Sequence, residues 1–444
     1  MTHATCILLL IFFVLFLIVC IAILVLLRQK KHTTFLIDTD AYLLVYASQS
    51  GQTEAYAQAT AKQLLAAGDS VVLLSVEELK AQDLKQASKV IWMLSTYGEG
   101  DAPDTAQAFK HWLCDASIDL SHQHFALLAF GDQRYAQFCA FGQSIYARLI
   151  ELHAKAACAL VTVDQQSEAD LIHWETCLAE FTQQELQIQR VEKKWSQIQL
   201  SERILLNAGS QGTGLYHLSF SYPNDLIWQA GDILEVACQR ADQSFVIREY
   251  SIASVPAQNQ LQLVVRQEPV GDGLGLGSGL LTAQLNLNDQ LKVRVRHNPF
   301  FHSQQNTAPA IFIANGSGIA GVFAHLQQRQ YSQQADNWLI YGERQQRYDA
   351  VFQSQLELWL QNGHLQHCDL AYSRDVDCRY KYVQDVLQQQ AEQLQHWVSQ
   401  GAYIYVCGSL NGMATAVDAE LNRILGEGTM QKLKVENRYR RDVY

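Results

Sequence analysis

The chain has 444 residues, of which 48% are hydrophobic and 17% charged, and its formal net charge is −11 at pH 7. The length predicts about three domains, and the composition is that of a globular protein. The acidic balance argues against nucleic acid as a partner. Ten cysteines without a Cys-x-x-Cys pair indicate neither a disulfide framework nor a zinc or iron–sulfur site, so no metal is expected.

Residues 6–27 form an apolar run without a charged side chain. At roughly 1.5 Å rise per residue this run is long enough to cross a bilayer. A secretory signal peptide is the alternative, but the run is too long for one and no small-x-small cleavage site follows it. Arg28, Lys30 and Lys31 come directly after the run. The positive-inside rule therefore predicts a membrane anchor in residues 1–31 and a single-pass protein whose remaining domains are cytoplasmic.

The first predicted domain, residues 40–182, carries 18 acidic and 8 basic side chains. Solubility alone would explain this charge, and so would steering toward a basic protein partner. Buried strand patterns at 42–47, 70–75, 90–95 and 125–130 alternate with helical patterns. This order predicts a doubly wound parallel sheet, whose ligand crevice lies at the carboxyl ends of the strands.

Three loops leave the strands of this domain at the predicted crevice. Ser48–Thr53 leads into a helix N-terminus, which suits a phosphate group, although a plain polar turn is the alternative. There is no Walker lysine and no Gly-x-Gly-x-x-Gly, which disfavours a nucleoside triphosphate or a dinucleotide here. The loops at 95–104 and 131–138 each supply a tyrosine. Two aromatic rings that flank one crevice suit a flat ring system such as an isoalloxazine.

These loops resemble the FMN loops of the flavodoxin module in diflavin reductases, and residues 95–104 (STYGEGDAPD) are the most specific part. The resemblance implies that Ser48–Thr53 hold the FMN phosphate and that Tyr97 and Tyr135 stack on its ring. A further loop of the family, usually with a Gly-Asp pair, appears here only as residues 163–166. The FMN-binding residues implied are Ser48, Gln49, Ser50, Gly51, Gln52, Thr53, Ser95, Thr96, Tyr97, Gly98, Gly100, Gly131, Asp132, Tyr135 and Phe138.

A polar linker at 183–196 precedes a second domain at 197–303, where short alternating strands and frequent turn residues predict an antiparallel barrel. One of its strand patterns contains Arg248-x-Tyr250-Ser251. An arginine can bind a pyrophosphate with two hydrogen bonds, and a tyrosine two residues later can stack on a heterocycle. The serine points to the other side, where it can reach a ring nitrogen. The glycine-rich stretch at 271–281 suits a pyrophosphate as well, or is a flexible hairpin loop.

Arg248-x-Tyr250-Ser251 and Gly275-x-Gly277-Ser278 together resemble the two FAD elements of the ferredoxin–NADP reductase family. The resemblance implies that Arg248 and Ser278 contact the pyrophosphate, that Tyr250 covers the flavin face and that Ser251 lies near flavin N5. Larger diflavin reductases insert a helical connecting domain ahead of this strand. Here only residues 237–247 separate it from the preceding strand, so a compact enzyme is expected.

The third predicted domain, residues 307–444, binds a dinucleotide. A strand pattern at 311–314 leads into Gly316-Ser317-Gly318, and Gly-x-Gly at a β–α turn is a pyrophosphate site. A 2′-phosphate, and hence NADPH rather than NADH, is suggested by a group of side chains that follows a later strand. The group comprises Ser373, Arg374, Tyr382 and Gln384. Cys407, at the end of another buried strand, is either a core residue or part of the chemistry.

Resemblance to the family assigns roles to the last residues of the chain. The family has a Tyr-Val-Cys-Gly motif whose cysteine lies beside the nicotinamide ring, which implies that role for Cys407. Its terminal aromatic ring covers the FAD face, and the aspartate two positions earlier lies near the reacting atoms. The catalytic residues implied are therefore Ser251, Cys407, Asp442 and Tyr444, of which Tyr444 also contacts the cofactor.

The chain is thus identified as a member of the NADPH-dependent diflavin reductases. The expected fold is an α/β flavodoxin-like domain, an antiparallel β-barrel FAD domain and an α/β nucleotide-binding domain, with one N-terminal transmembrane helix. The implied cofactors are FMN, FAD and NADPH, and the implied partner is an electron-acceptor protein.

The sequence leaves the identity of the acceptor open. The C-terminal Arg-Arg-Asp-Val-Tyr and the overall layout favour a sulfite reductase flavoprotein, which serves a haem subunit. Tyr97, the anchor and the short FAD domain favour an enzyme that serves another haemoprotein or a membrane ferric reductase. A non-catalytic flavoprotein that acts as a redox sensor or scaffold is the alternative from another class of protein.

Overall fold

The computed structural model describes residues 40–48, 51–96, 100–133, 137–164, 167–186, 188, 195–240, 242–303 and 307–444. Within these ranges the chain forms three large sheets, one after another along the sequence. Two are parallel and covered by helices, and the antiparallel one lies between them in sequence.

The first unit is a parallel sheet with strand order β2-β1-β3-β4-β5, in which β6 also pairs with β4. Strands β1, β3 and β4 are buried along most of their length, as expected for parallel strands covered on both faces. The strands are β1 Tyr42–Ala47, β2 Val71–Ser75, β3 Lys89–Ser95, β4 His124–Gly131, β5 Lys155–Ala156 and β6 Val161–Asp164. The helices are α1 Gln52–Ala66, α2 Ala81–Gln86, α3 Gln107–Asp115, α4 Ala140–Glu151 and α5 Glu168–Thr182.

The second unit is an antiparallel sheet with strand order β10-β9-β14-β7-β8-β11. Its two edge strands are joined by a bridge between Ile252 and Leu263, so the sheet closes into a barrel around an apolar core. The strands are β7 Ser196–Leu205, β8 Leu215–Ser221, β9 Ile233–Gln239, β10 Phe245–Ser251, β11 Leu261–Arg266 and β14 Gln290–Arg296. A small hairpin, β12 Pro269–Val270 and β13 Gly273–Leu274, precedes the short helix α6 Leu276–Gly279, which continues as a wider turn to Gln284.

The third unit is a parallel sheet with strand order β17-β16-β15-β18-β19. The C-terminal strand β19 pairs with β18, which places the end of the chain inside the fold. The strands are β15 Ala310–Asn315, β16 Asn337–Glu343, β17 His367–Tyr372, β18 Tyr403–Gly408 and β19 Tyr439–Val443. The helices are α7 Ile319–Tyr331, α8 Gln346–Asp349, α9 Gln353–Gln361, α10 Val383–Gln389, α11 Ala391–Ser399, α12 Thr415–Leu425 and α13 Glu427–Val435.

The first unit contacts the other two along one side. A Cβ atom on Gly51, at the start of α1, would lie 4.0 Å from the Pro299 ring, which follows β14. The Asn437 side chain, just after α13, hydrogen-bonds the Glu77 carboxylate. A cavity of about 360 Å³ lies between α3 and α13. The start of α1 therefore lies close to the segment that follows the barrel strand β14.

The localisation predicted from the sequence is wrong. Among the residues listed above by range, no helix is long and apolar enough to cross a membrane. Even α1 and α5 have only 15 residues each, whereas a membrane span needs about 20. The prediction of a single-pass membrane protein with cytoplasmic domains is corrected accordingly. The segment that suggested an anchor, residues 1–31, lies outside the described residues.

Candidate functional site

Two buried hydroxyl groups lie at the carboxyl edge of the first sheet. Ser48 directly follows β1 and Thr96 directly follows β3. The Ser48 Oγ and Thr96 Oγ1 atoms are buried, and neither has a hydrogen-bond partner among the described residues. A buried hydroxyl left unpaired costs about 1–3 kcal/mol. This edge is therefore suited to receive the polar atoms of a ligand.

Other residues predicted to bind FMN hold this edge together. Ser95 Oγ donates a hydrogen bond to the last carbonyl of β1, at 3.0 Å. A Cβ atom on Gly100 would lie 2.7 Å from the Gln137 Cβ, and one on Gly131 would lie 2.7 Å from the Cys139 Sγ. Both glycines are required because the second and third loops pack closely against the segment at 137–139.

The third and fourth loops of this edge are tied to each other. The Gln133 backbone N–H donates to Asp164 Oδ1 at 3.0 Å, so the loop that lacks the family's Gly-Asp pair still joins the cluster. Phe138 packs against the apolar core of the sheet. Gly51, with a φ of 76°, precedes α1, whose first residues are Gln52 and Thr53, and Asp132 follows β4. The predicted residues Gln49, Ser50, Tyr97, Gly98 and Tyr135 lie outside the described part of the chain.

In the barrel, the two predicted FAD elements are in direct contact. Arg248 and Tyr250 lie on β10 at alternate positions, so they point to the same face. A Cβ atom on Gly277 would lie 2.4 Å from the Tyr250 Oη and 2.8 Å from the Arg248 Cγ. Only glycine fits where α6 approaches β10 this closely. The Ser278 hydroxyl accepts from the Glu268 N–H at 3.1 Å, so it also closes its own turn.

Three residues that are far apart in sequence meet where the barrel contacts the third sheet. Ser251 Oγ donates a hydrogen bond to Asp442 Oδ2 at 2.7 Å, and Cys407 Sγ lies 3.9 Å from the same oxygen. Cys407 and Asp442 are directly opposite each other in the pairing of β18 with β19. A Cβ atom on Gly321 would lie 2.9 Å from the Cys407 Sγ. Glycine at this position therefore lets α7 pack against the thiol.

The protonation of this cluster is governed by burial. Burial raises the pKa of the Asp442 carboxyl, whereas the hydrogen bond from Ser251 and the charge of Arg296 act in the opposite direction. Burial, reinforced by the Asp442 charge, also raises the pKa of the Cys407 thiol well above its usual value. The thiol therefore remains protonated and is a weak hydrogen-bond donor beside a carboxylate.

Tyr444, the last residue, is held in place at both ends of its backbone. Its N–H donates to the Gly408 carbonyl at 3.0 Å, and its carbonyl accepts from the Leu410 N–H at 2.9 Å. Its phenol oxygen lies 3.1 Å from Ser317 Oγ. The ring is about half exposed and forms part of the wall of the cavity beside the Gly-x-Gly turn.

This cavity has a volume of about 560 Å³, within the usual range for small-ligand sites. Most of the residues predicted to bind the nucleotide line it, and Gly318 lies beneath its floor. A Cβ atom on Gly318 would lie 2.2 Å from the Cys407 carbonyl oxygen, which explains the second glycine of the turn. The predicted residues that line the cavity are Gly316, Ser317, Ser373, Tyr382, Gln384 and Tyr444.

Arg374, which the sequence also predicts to bind the nucleotide, does not line this cavity. Its Nη1 lies 3.4 Å from Gln211 Oε1, in the loop between β7 and β8. The cations that line the cavity are instead Arg266, Arg344 and Lys381. Sequence analysis missed the first two, although each stands at the carboxyl end of a strand, where ligand contacts are common.

The two missed arginines have different surroundings. Arg266, at the end of β11, forms an ion pair with the buried Glu343. The Glu343 carboxylate also accepts from the Tyr341 hydroxyl at 3.2 Å, and that hydroxyl lies 3.0 Å from the Gly316 carbonyl. The Arg344 Nη1 is buried and has no hydrogen-bond partner among the described residues. Arg344 lines the cavity, but its Nη1 packs against Gly212, where an added Cβ atom would lie 1.5 Å from it.

Comparisons with known proteins agree with this architecture. Residues 44–174 match the model of the flavodoxin family, and residues 312–419 match that of the oxidoreductase NAD-binding domain. These matches cover most of the first and third sheets, without the last strand β19.

Curated relatives match nearly the whole chain. The sulfite reductase [NADPH] flavoprotein alpha-component of Vibrio cholerae is 26% identical over 535 aligned positions, which cover 90% of this chain and 87% of that protein. The proteins of the same name from Shewanella sp. (strain MR-7) and Salmonella typhi are each 25% identical, with 90% of this chain and 89% of each relative covered. Because the alignments are longer than the 444 residues of this chain, the relatives contain inserted residues that it lacks.

The residues present fit the expected cofactors. The first sheet offers unpaired hydroxyls, a glycine contact brings α6 onto Arg248 and Tyr250, and a cationic cavity adjoins Ser317. Two family models and relatives along 90% of the chain lead to the same assignment. The protein is an NADPH-dependent flavoprotein oxidoreductase with FMN, FAD and NADPH as cofactors, and it resembles the diflavin reductases.

Proposed function

We propose that this enzyme passes electrons from NADPH through FAD and FMN to a haemoprotein, and that this haemoprotein is a sulfite reductase haem subunit. The observation that carries the reductase half of the proposal is the contact of Ser251, Cys407 and Asp442 beside the nucleotide cavity. When bound, FAD accepts a hydride and FMN delivers single electrons. The protein supplies geometry and charge.

In the proposed hydride site, Asp442 provides a buried negative charge next to the nicotinamide position. A carboxylate there favours the nicotinamide ring as it becomes positively charged on losing hydride. Ser251 donates to this carboxylate and so fixes its orientation. Cys407 contributes a neutral thiol that packs under the ring position without adding charge.

We further propose which residues hold the remaining cofactor groups. The hydroxyls of Ser48 and Thr96 form hydrogen bonds with FMN. The arginine and tyrosine of β10 contact the pyrophosphate and the ring of FAD, respectively. Ser373, Tyr382 and Lys381 line one part of the NADPH cavity and together suit the 2′-phosphate. Arg344, which also lines the cavity, is a second cation for this group.

The acceptor is proposed from the relatives and from charge. Each relative named above is called a sulfite reductase flavoprotein component, and the alignments cover 87–89% of those proteins. Residues 40–182 of this chain hold 18 acidic and 8 basic side chains, which suits docking to a basic protein surface. Another haemoprotein is the second candidate, because the chain lacks the insertions of the sulfite reductase flavoproteins.

The test combines the purified holoenzyme with a purified sulfite reductase haem subunit. We expect FMN and FAD in near-equal amounts, NADPH-dependent reduction of cytochrome c, and sulfite-dependent NADPH oxidation only when the haem subunit is added. The acceptor rate should fall as salt rises, since exposed charges are screened over about 8 Å at physiological ionic strength.

The identity of the acceptor and the proposed hydride site can be rejected independently of each other. Cytochrome c reduction without any sulfite-dependent turnover would favour the other haemoprotein and reject the sulfite reductase assignment. An Asp442→Asn variant is the matched control, because it retains shape and hydrogen bonding but lacks the charge. If it reduces cytochrome c as fast as the wild type, the proposed hydride site is wrong.

A further inference from the structure

A buried arginine that no cofactor assignment uses stands close to the proposed hydride site. Arg296 is the last residue of β14, and only 8% of its surface is exposed. Its guanidinium binds the Glu249 carboxylate with two hydrogen bonds, Nε to Oε1 and Nη2 to Oε2, each of 3.0 Å. A second carboxylate, Glu235, lies 3.8 Å from the Arg296 Nε.

Strand geometry brings this ion pair to Asp442. Glu249 and Ser251 are two positions apart on β10, so their side chains project from the same face of the strand, about 7 Å apart. Ser251 hydrogen-bonds Asp442, and Glu249 hydrogen-bonds Arg296. The carboxylate and the guanidinium therefore approach one face of β10 at neighbouring side chains.

We propose that Arg296 is a positioning residue for hydride transfer: held by Glu249, its positive charge keeps the buried Asp442 carboxylate ionised when the site is ready for NADPH. This inference rests on the proposed function of Asp442. Arg296 itself is not placed in contact with substrate or cofactor. It acts through the charge state of Asp442.

The charges around Asp442 support this assignment. The Asp442 carboxylate contacts Ser251 of β10 and Cys407 of β18, and the charges that act on it are those of Glu249 on β10 and Arg296 on β14. Asp442 itself lies on β19, and Tyr444 follows that strand. The two arginines of β19 have other partners: Arg440 binds backbone carbonyls at 299–302, and Arg441 binds the Asp418 carboxylate. Among the described residues, Arg296 is the cation whose charge lowers the pKa of Asp442, and Glu249 is the anion that raises it.

The charge of Arg296 can be removed by substitution without disrupting the groups that surround it. The Glu249 side chain is 47% exposed, so water can solvate it when its partner is lost. Glu235 keeps a second ion-pair partner, Arg294. Replacement of Arg296 by glutamine should therefore remove the charge without leaving a buried carboxylate unpaired.

The decisive measurement is a carbon-13 NMR titration of the aspartate carboxyl carbons in the FAD-loaded enzyme without NADPH. The Asp442 resonance is assigned by its absence from Asp442→Asn. We expect its midpoint to move to higher pH by about one unit in Arg296→Gln and to lower pH in Glu249→Gln. Arg296→Lys, which keeps the charge, should remain closer to the wild type than Arg296→Gln.

Opposite shifts in the two glutamine variants distinguish electrostatics from structural damage, because damage would move both midpoints in the same direction. Shifts of the same sign, or an unchanged midpoint in Arg296→Gln, would overturn the proposal. Flavin content and circular dichroism report whether each variant is folded. If Arg296→Gln is not, Glu249→Gln provides the test, and a midpoint that does not move to lower pH in it would overturn the proposal.

Stopped-flow reduction of the flavin by NADPH then links the carboxylate to the reaction. At the pH where the wild type retains half of its maximal rate, Arg296→Gln should be about fivefold slower, as a one-unit shift implies. If the NMR midpoint moves but the hydride rate does not follow it, Asp442 is not the group that controls the reaction. That result would reject the proposed role of Asp442, and with it the link between Arg296 and hydride transfer, while the opposite NMR shifts would stand.

Discussion

The two cofactor regions of this enzyme are built in different ways. In the first unit the candidate FMN residues come from loops at one edge of a single sheet, and two of the hydroxyls there lack a partner within the part of the chain that the structure describes. In the reductase half, Ser251 and Asp442 already form a 2.7 Å hydrogen bond, and the strands that carry them are part of a barrel and a parallel sheet. We therefore expect the polar groups of the first region to be satisfied by FMN, whereas Ser251 and Asp442 satisfy each other within the fold.

This difference has an energetic consequence. Unpaired polar groups at the FMN edge cost stability until a ligand satisfies them, so FMN should stabilise the first unit directly. The polar groups of the hydride site satisfy one another, with the backbone pairing of Cys407 opposite Asp442 fixing their separation. We therefore expect substitutions in the reductase half to affect rates, and substitutions at the FMN edge to affect cofactor retention.

The largest expected effect is on the hydride step in Asp442→Asn. Removal of a buried charge that stabilises the transition state should slow flavin reduction by NADPH about a hundredfold or more, with FAD content unchanged. Since burial raises the pKa of Asp442, the wild-type rate should fall as pH drops through that raised value. The asparagine variant should lack this acid limb. Stopped-flow rates across a pH series measure both, and an acid limb that persists in the variant contradicts the assignment.

Nucleotide recognition provides the next largest effect. Lys381→Ala should weaken NADPH binding about thirtyfold, the scale of a lost charge-assisted contact, and leave NADH binding almost unchanged. Arg374→Ala is the matched control, because Arg374 is directed to Gln211. It should cost less than Lys381→Ala. Isothermal titration with both nucleotides decides between them: a larger loss in Arg374→Ala would restore the prediction made from the sequence.

The contrast between these two cations shows where sequence reasoning succeeds. Strand patterns were sufficient to predict the parallel sheet of the first unit, and the Gly-x-Gly turn predicted a nucleotide site at the end of a strand, where the structure has a cavity lined by Gly316 and Ser317. A role for Tyr444 at the cofactor was implied only by the family resemblance. The direction of Arg374 could not be predicted. It follows a strand whose exit turn is closed by a bond from the Tyr372 N–H to the Tyr380 carbonyl, at 2.9 Å.

The pairing of Arg296 with Glu249 was equally hidden. It depends on the register of β14 and β10 against their common neighbour β9, where Arg296 lies opposite Ile233 and Glu249 lies opposite Glu235. A shift of one residue in either strand would turn the side chains to opposite faces. Sequence patterns predict that such strands exist, but register is fixed by the complete barrel.

At the FMN edge, a smaller effect of another kind is expected from Thr96→Val. The change keeps the shape of the side chain and removes a buried hydroxyl that has no partner among the described residues. FMN affinity should fall about fivefold, the value of one hydrogen bond, while the FMN-free protein should become no less stable. Fluorescence titration with FMN and thermal unfolding of the FMN-free form measure the two effects. A destabilised FMN-free variant would mean that the hydroxyl serves the fold, as in the reductase half.

The smallest effect is expected at Tyr444. It tests whether the ring of this residue occupies the nicotinamide position in the reductase half. Its backbone is tied to Gly408 and Leu410, and its ring stands in the wall of the nucleotide cavity. If nicotinamide must displace the ring, Tyr444→Ala should bind nicotinamide more tightly and lower the preference for NADPH over NADH a few-fold. Turnover should fall, because oxidised nucleotide would leave slowly. Tyr444→Phe separates the ring from its 3.1 Å contact with Ser317 and should behave like the wild type. Steady-state kinetics with both nucleotides measure this preference. If it is unchanged in Tyr444→Ala, the C-terminal residue is only a structural end of the sheet.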